Sequence, residues 1–224
     1  MSRHINRYMS LFVSRWLAPT PIRPNHISVF TFSLGILAGV LAAMGGMQNF
    51  LLAGVVFQIN SVIDGCDGEL ARVRYEFSVL GEWLDTLSDD FSDVFFWAGL
   101  GWGASQTFAG PWGLPSNVWW WLGLAAVVGK VLTMAIYYRW LIANKRGDLL
   151  AFTWSFDDPT QATAMQKVLK HVKYFAKKDF IVFAAMLLGF LGWLPWILVP
   201  IAPGNVVVAL SVLLQQRAST DAAG

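Results

Sequence analysis

The sequence predicts an all-α integral membrane protein with six transmembrane helices, an N-terminal amphipathic surface helix and both termini cytoplasmic. Three observations carry this prediction. The 224-residue chain is 56% hydrophobic, with a mean hydropathy of +0.51. Only 13% of it is charged, against roughly 25% in an ordinary soluble domain. Its Lys and Arg residues cluster in alternate connections between long apolar runs. The runs leave no room for a soluble unit, so residues 1–224 are expected to form a single membrane domain.

Residues 1–20 alternate basic and apolar side chains. No apolar core with a small-residue cleavage site follows at the distance a secretory signal needs. Two readings fit: an amphipathic helix lying on the membrane, or a first helix docked on the protein. Spans are expected at about 27–45, 49–74, 78–101, 117–141, 179–194 and 196–215, since a bilayer core takes roughly 20 apolar residues to cross. The first opens after Pro21 and Pro24, with Asn25 and Ser28 as N-cap candidates, and closes at Gly45-Gly46. Leu194-Pro195 separates the fifth from the sixth, which Pro200 and Pro203 are expected to kink.

The basic residues set the orientation. Arg3, Arg7, Arg15 and Arg23 precede the first span, and Arg72 and Arg74 lie between the second and third. Arg139, Lys145, Arg146, Lys167, Lys170, Lys173, Lys177 and Lys178 lie between the fourth and fifth, and Arg217 follows the sixth. The other connections carry no Lys or Arg and are rich in Trp, including Trp102, Trp112, Trp193 and Trp196. Positive charge on one side and an aromatic belt on the other put the termini and residues 64–89 at the cytosol, with the inner membrane the expected location. Lys130 alone falls inside a span, where it either neutralises an acid or snorkels to the surface. The single cysteine, Cys66, excludes an internal disulfide and is expected to serve packing.

Nine of the fourteen acidic residues fall between positions 64 and 93. Ionisable groups at membrane depth are costly and mark functional sites. Asp64 and Asp67 are three apart, and Asp85 and Asp89 are four apart, so each pair shares a helical face. Two such faces opposed across a helix pair gather four carboxylates, which repel strongly unless cations neutralise them. Oxygen ligands with no His or Cys spaced for coordination favour Mg²⁺, Mn²⁺ or Ca²⁺ over zinc. Two ions bridged by the aspartates would suit phosphoryl chemistry on a diphosphate. Asp64 lies about 22 Å along the second span at about 1.5 Å per residue, just below the cytosolic surface of a core roughly 30 Å thick. A water-soluble nucleotide reaches that depth from the cytosol, and a lipid alcohol reaches it sideways. Gly68, Ala71 and Gly81 lie on the same faces and allow a substrate, or the other helix, to approach the backbone. Arg72 supplies a fixed cation for a phosphate oxygen, or anchors the helix at the cytosolic face.

Asp64, Asp67, Gly68, Ala71, Arg72, Gly81, Asp85 and Asp89 reproduce the pattern D-x2-D-G-x2-A-R-x8-G-x3-D-x3-D. The pattern resembles the signature of the CDP-alcohol phosphotransferase family, and the six expected spans and Pro24-Asn25 also look like that family. The resemblance implies transfer of a substituted phosphate from a CDP-alcohol donor to an alcohol acceptor, with release of CMP. It implies two Mg²⁺ or Mn²⁺ ions on Asp64, Asp67, Asp85 and Asp89, with Asp89 also the general base. The spacing alone does not single out which aspartate is the base. By the same resemblance Gly68, Ala71, Arg72, Gly81 and Asn25 shape the CDP site, and the protein works as a homodimer in contact with membrane lipids, with no nucleic-acid partner. Ile63 to Glu69, Trp83 to Thr86 and Lys177 to Phe180 look closest to the branch acting on inositol phosphates.

Lys177 and Lys178 end a basic stretch from Lys167, read either as a surface helix held by anionic lipid or as a phosphate site for the acceptor. Asp90 and Asp93 extend the acidic face of the third span, as tuning groups or as hydrogen-bonded packing. Glu69, Glu76 and Glu82 are expected to face water or pair with Arg72 and Arg74. His26 is expected to be structural. An ion transporter would want acids spread through the membrane and inverted repeats, and a membrane prenyltransferase would want DxxxD or DDxxD clusters. Here the acids cluster near one face with no detectable inverted repeat, and the Gly-x-x-Ala-Arg and Gly-x-x-x-Asp-x-x-x-Asp elements favour the phosphotransferase.

Overall fold

The computed structural model describes residues 2–76, 78–109, 115–143 and 178–221. Its elements are α1 (Ser2–Leu17), α2 (Pro24–Met44), α3 (Met47–Arg74), α4 (Val79–Thr107), α5 (Asn117–Ala143), α6 (Lys178–Phe190), a 3₁₀ turn (Leu194–Ile197) and α7 (Leu198–Asp221). The described residues contain no strand. Four stretches are long and apolar enough to cross a membrane: Pro24–Met44, Met47–Arg74, Asn117–Ala143 and Leu194–Leu213. The other two expected spans differ in character. α4 has 29 residues but carries Glu82, Asp85, Asp89, Asp90 and Asp93, and α6 has 13 described residues.

Proline opens α2 at its first helical position, where no N–H is needed. This displaces the expected caps. Arg23 holds the cap position, and its backbone N–H donates to His26 Nδ1 at 3.3 Å. Asn25 and Ser28 lie inside the helix, and Ser28 instead reaches α3. Gly45 and Gly46, at φ +68 and +81, then reverse the chain into α3, a left-handed pair that only glycine adopts at low cost. Pro200 sits in the first turn of α7, where a proline costs no bond, and Pro203 lies inside that helix.

α2 packs against both α3 and α4, α5 joins α4 to α7, and α6 lies against α3. Small residues set these contacts, as expected where lipid gives no hydrophobic drive between helices. A Cβ on Gly39 would meet the Phe95 carbonyl at 2.7 Å, one on Gly101 the Gly123 Cα at 2.7 Å, and one on Gly129 the Asn205 carbonyl carbon at 2.6 Å. The main apolar core centres on Phe57 and Phe96, stacked with centroids 3.9 Å apart. Both lie seven residues from an aspartate of the signature, Asp64 and Asp89 respectively, so the core underlies the acidic site by two turns.

α1 docks on α3 through its polar edge. Asn6 accepts from Gln58 at 2.8 Å, and Ser10 and Ser14 donate to Glu69 at 2.9 and 2.7 Å. Glu69 therefore faces α1 rather than water or the arginines. Arg74 donates to the backbone carbonyls of Leu17, Ala18, Thr20 and Ile22 and ties down the α1–α2 connection. The opposite edge of α1 exposes Tyr8, Met9, Leu11, Phe12 and Trp16.

Candidate metal centre and active site

Asp64 and Asp67 on α3 and Asp85 on α4 converge. One carboxylate oxygen from each lies within 4.8 Å of the others. Ligands at 2.0–2.6 Å from a shared Mg²⁺ or Ca²⁺ fall within that separation of one another, so the residues fit a hard divalent ion. Asp67 is buried and held on both oxygens: Ser28 donates to one at 2.8 Å, and the Gly68 N–H donates to the other at 2.5 Å. α3 and α4 touch little directly because α2 packs on both. Where the two helices do meet, the side chains of Asp67 and Asp85 are in hydrogen-bond contact.

Asp89, one turn beyond Asp85, stands outside this group of three. Its Oδ1 lies 2.6 Å from Lys178 Nζ, at the start of α6. Lys178 also approaches Asp93 at 3.5 Å. Asp93 in turn pairs with Lys130 of α5 at 2.9 Å, and Lys130 reaches Asp90 at the same distance. Tyr138 donates to the other Asp90 oxygen at 2.9 Å. The acids of α4 thus continue as one paired network, Asp90–Lys130–Asp93–Lys178–Asp89, which settles Lys130 as a neutralising group and Asp90 as a packed, hydrogen-bonded one. A buried pair of this kind costs several kcal/mol when one partner is removed.

The remaining residues of the signature lie on the same two helices, Gly68, Ala71 and Arg72 on α3 and Gly81 on α4. A Cβ on Gly68 would meet nothing nearer than an Arg72 nitrogen at 3.8 Å. The glycine faces open space, so helix packing does not explain it. Gly81 is different: a Cβ there would lie 3.0 Å from Ser78 Oγ, which caps α4, and 3.1 Å from Asn25 Oδ1. That brings Asn25 of α2 to the start of α4. Ala71 is half-buried and Arg72 exposed at the last turn of α3. Cys66 is fully buried beside Ile27 and Leu70, in a packing role. Lys177 lies outside the described residues. Sequence reasoning missed the parts played by Ser28 and Tyr138. Tyr138 follows Lys130 by eight residues, on one helical face, which is a legible signal; Ser28 lay hidden behind a capping role that Pro24 made unnecessary.

A family model for CDP-alcohol phosphatidyltransferase matches residues 22–204. The chain belongs to the CDP-alcohol phosphatidyltransferase family. It is 36% identical over 146 residues to the bifunctional IPC transferase and DIPP synthase of Rubrobacter xylanophilus, covering 65% of this chain and 30% of that protein. The Aquifex aeolicus protein of the same name is 27% identical over 215 residues, 96% of this chain and 42% of its own length. The archaetidylinositol phosphate synthase of Pyrococcus horikoshii is 31% identical over 88 residues, 39% of this chain and 45% of that one. The chain spans less than half the length of these relatives. Family membership and the apolar helices together make it an integral membrane protein.

Proposed function

We propose that the chain transfers a substituted phosphate from a CDP-alcohol donor, such as CDP-diacylglycerol or CDP-inositol, to the hydroxyl of an acceptor alcohol, releasing CMP. The observation that carries this reading is the convergence of Asp64, Asp67 and Asp85, three members of the signature, to within 4.8 Å. Asp64, Asp67 and Asp85 would hold Mg²⁺ or Mn²⁺. With Asp89, Asp90 and Asp93 there are six carboxylates against the two ammonium groups of Lys130 and Lys178, an excess of four negative charges. Two divalent ions carry the matching charge, which supports a second ion shared with Asp89. When bound, the metal offsets charge on the diphosphate as CMP leaves.

In this reading Asp89 takes the proton of the acceptor hydroxyl. The acceptor oxygen bonds to phosphorus as the bond to the CMP oxygen breaks. Lys178 fixes Asp89 and, with Lys177, offers positive charge to a phosphate on the acceptor. The open side of Gly68, with Ala71, Arg72, Gly81 and Asn25, takes the CDP moiety. The names of the relatives support an inositol-type phosphorylated acceptor. The reading also places six spans and a homodimer in the cytoplasmic membrane, with the aspartates toward the cytosol and the apolar edge of α1 in the membrane surface.

The test is CMP release by purified protein with Mg²⁺ or Mn²⁺. CDP-diacylglycerol and CDP-inositol are supplied separately against a panel of free and phosphorylated polyols. Metal-dependent CMP release with one donor supports transfer, and the donor and acceptor name the product. Failure to bind CDP in the presence of either metal sinks it.

A further inference from the structure

Asp93 sits where two faces of α4 meet. It follows Asp89 by four residues and Asp90 by three, so it shares a helical face with each. Asp89 and Asp90 are adjacent in the chain and point about 100° apart. The contacts follow that geometry. Toward α6, Asp93 Oδ1 lies 3.5 Å from Lys178 Nζ, whose nearer partner is Asp89 Oδ1 at 2.6 Å. Toward α5, Asp93 Oδ2 and Asp90 Oδ1 each lie 2.9 Å from Lys130 Nζ. Lys178 is therefore shared unequally between two carboxylates, and Lys130 equally. The two acids on Lys130 are not equivalent either. Asp90 also accepts from the Tyr138 hydroxyl at 2.9 Å. Among the described residues, Asp93 has only the two lysines.

We infer that Lys130 is a positioning residue for the base: by holding Asp93 from the α5 side, it keeps Lys178 on Asp89. The inference rests on the transfer reading, in which Asp89 takes the acceptor proton. It goes beyond that reading by carrying the support of the base to a helix that holds none of the signature residues. A buried carboxylate without a cation is costly, and Asp93 is buried. Without the Lys130 charge, Asp90 keeps Tyr138, whereas Asp93 keeps only Lys178. A lysine ammonium is a point charge on a flexible four-carbon stem. The move asked of it is small, the exchange of a 2.6 Å contact for one now at 3.5 Å. Lys178 then draws toward Asp93, and Asp89 loses the contact that orients its carboxylate. A displacement of about 1 Å at a reacting group can cost about 10²-fold in rate.

Two double variants of equal charge separate positioning from charge balance alone. Lys130→Met with Asp90→Asn, and Lys130→Met with Asp93→Asn, each remove one cation and one acid. The first leaves Asp93 to Lys178, and the second leaves Lys178 to Asp89. CMP release is measured on the full chain with Mn²⁺ and the donor and acceptor that wild type uses. Lys130→Met and the Asp90 double should lose about 10–10²-fold in kcat. Their donor and acceptor KM should stay within about twofold of wild type, the mark of a group that acts on the chemical step. Mn²⁺ affinity should not change. The Asp93 double should recover most of the lost kcat, although both doubles melt alike. Equal kcat in the two doubles overturns the proposal, whether both recover or neither does. Because the doubles restore the charge balance, their comparison decides the matter even where Lys130→Met alone unfolds early. A crystal structure of the Asp90 double should place Lys178 Nζ nearer Asp93 than Asp89, and the wild-type order in that variant equally overturns the proposal. Absence of CMP release by wild type with any donor removes transfer instead, and the same crystal structure still decides whether Lys130 holds Lys178 on Asp89.

Discussion

Asp89 and Asp85 are one turn apart on α4 yet stand in different company, and the difference fits the roles proposed for them. Asp85 joins Asp64 and Asp67 within 4.8 Å, whereas Asp89 faces an ammonium at 2.6 Å. An aspartate held by a lysine keeps an oriented carboxylate that can accept a proton from an acceptor hydroxyl. Asp89→Asn is therefore expected to reduce turnover by about 10²–10⁴-fold, the usual weight of a general base, while metal-dependent CDP binding persists. Comparable turnover in the variant, measured as CMP release, would remove Asp89 from the base role. Gly68 lends itself to a similar separation. Its Cβ position meets only the end of Arg72 at 3.8 Å, so Gly68→Leu should fold with an unchanged melting temperature. It should also lose CDP affinity, read by calorimetry with Mn²⁺ present. A variant that melts early instead would return Gly68 to helix packing. At this scale much of the site is legible in the sequence: the i, i+3 and i, i+4 spacings alone put each aspartate pair on one face. The partners of those aspartates are not, because Ser28, Lys130 and Lys178 come from three other helices and nothing local in the chain pairs them.

Each helix boundary expresses a local preference, and those are readable: Pro24 starts α2, and Gly45-Gly46 ends it. The choice of neighbour is a matter of shape. Gly35 and Gly39 of α2 and Gly99 and Gly103 of α4 are spaced as small-xxx-small pairs, a pattern visible in the sequence, but their meeting is a property of the folded bundle. α4 also contacts α5 where Gly101 and Gly123 bring backbones together, at 2.7 Å for an added Cβ. Leucine at this point cannot be absorbed by moving a side chain, because the obstacle is main chain. Gly101→Leu should lower stability by at least about 1–3 kcal/mol, the cost of overpacking, seen as a lower melting temperature in detergent. Trp102→Leu, at a neighbouring position that is 51% exposed, should change it little. Equal melting of Gly101→Leu and wild type would mean that α4 and α5 are not closely packed there. The helix least legible from the sequence is α1: its basic–apolar alternation fits two placements, and the contacts of Ser10 and Ser14 with Glu69 dock its polar edge on the protein while its apolar edge stays exposed.

At the scale of the whole molecule, the proposed orientation implies a depth for the charges. α4 runs from Val79 to Thr107, about 42 Å at about 1.5 Å per residue, longer than a hydrocarbon core of roughly 30 Å. All its acids precede Val94, and the last 14 residues, through Trp102 to Thr107, carry no charge. A helix with its uncharged end at one interface therefore extends its first turns beyond the other. On the proposed orientation Asp85 and Asp89 would then meet the headgroup region, where a water-soluble donor would find them. The apolar edge of α1, Tyr8, Met9, Phe12 and Trp16, belongs to the same level through its docking on Glu69. This depth assignment requires Glu76, just before α4, and Ser105, near its end, to lie on opposite sides of the membrane. Both are accessible at the surface of the bundle, and the native Cys66 is fully buried, so each can be converted to cysteine over a quiet background. In intact cells an impermeant maleimide should label Ser105→Cys and leave Glu76→Cys unlabelled until the membrane is opened. The reverse pattern would turn the aspartates outward. Labelling of both in intact cells would mean that α4 does not span, and that the acidic site is reached along the membrane surface instead of through its cytosolic leaflet.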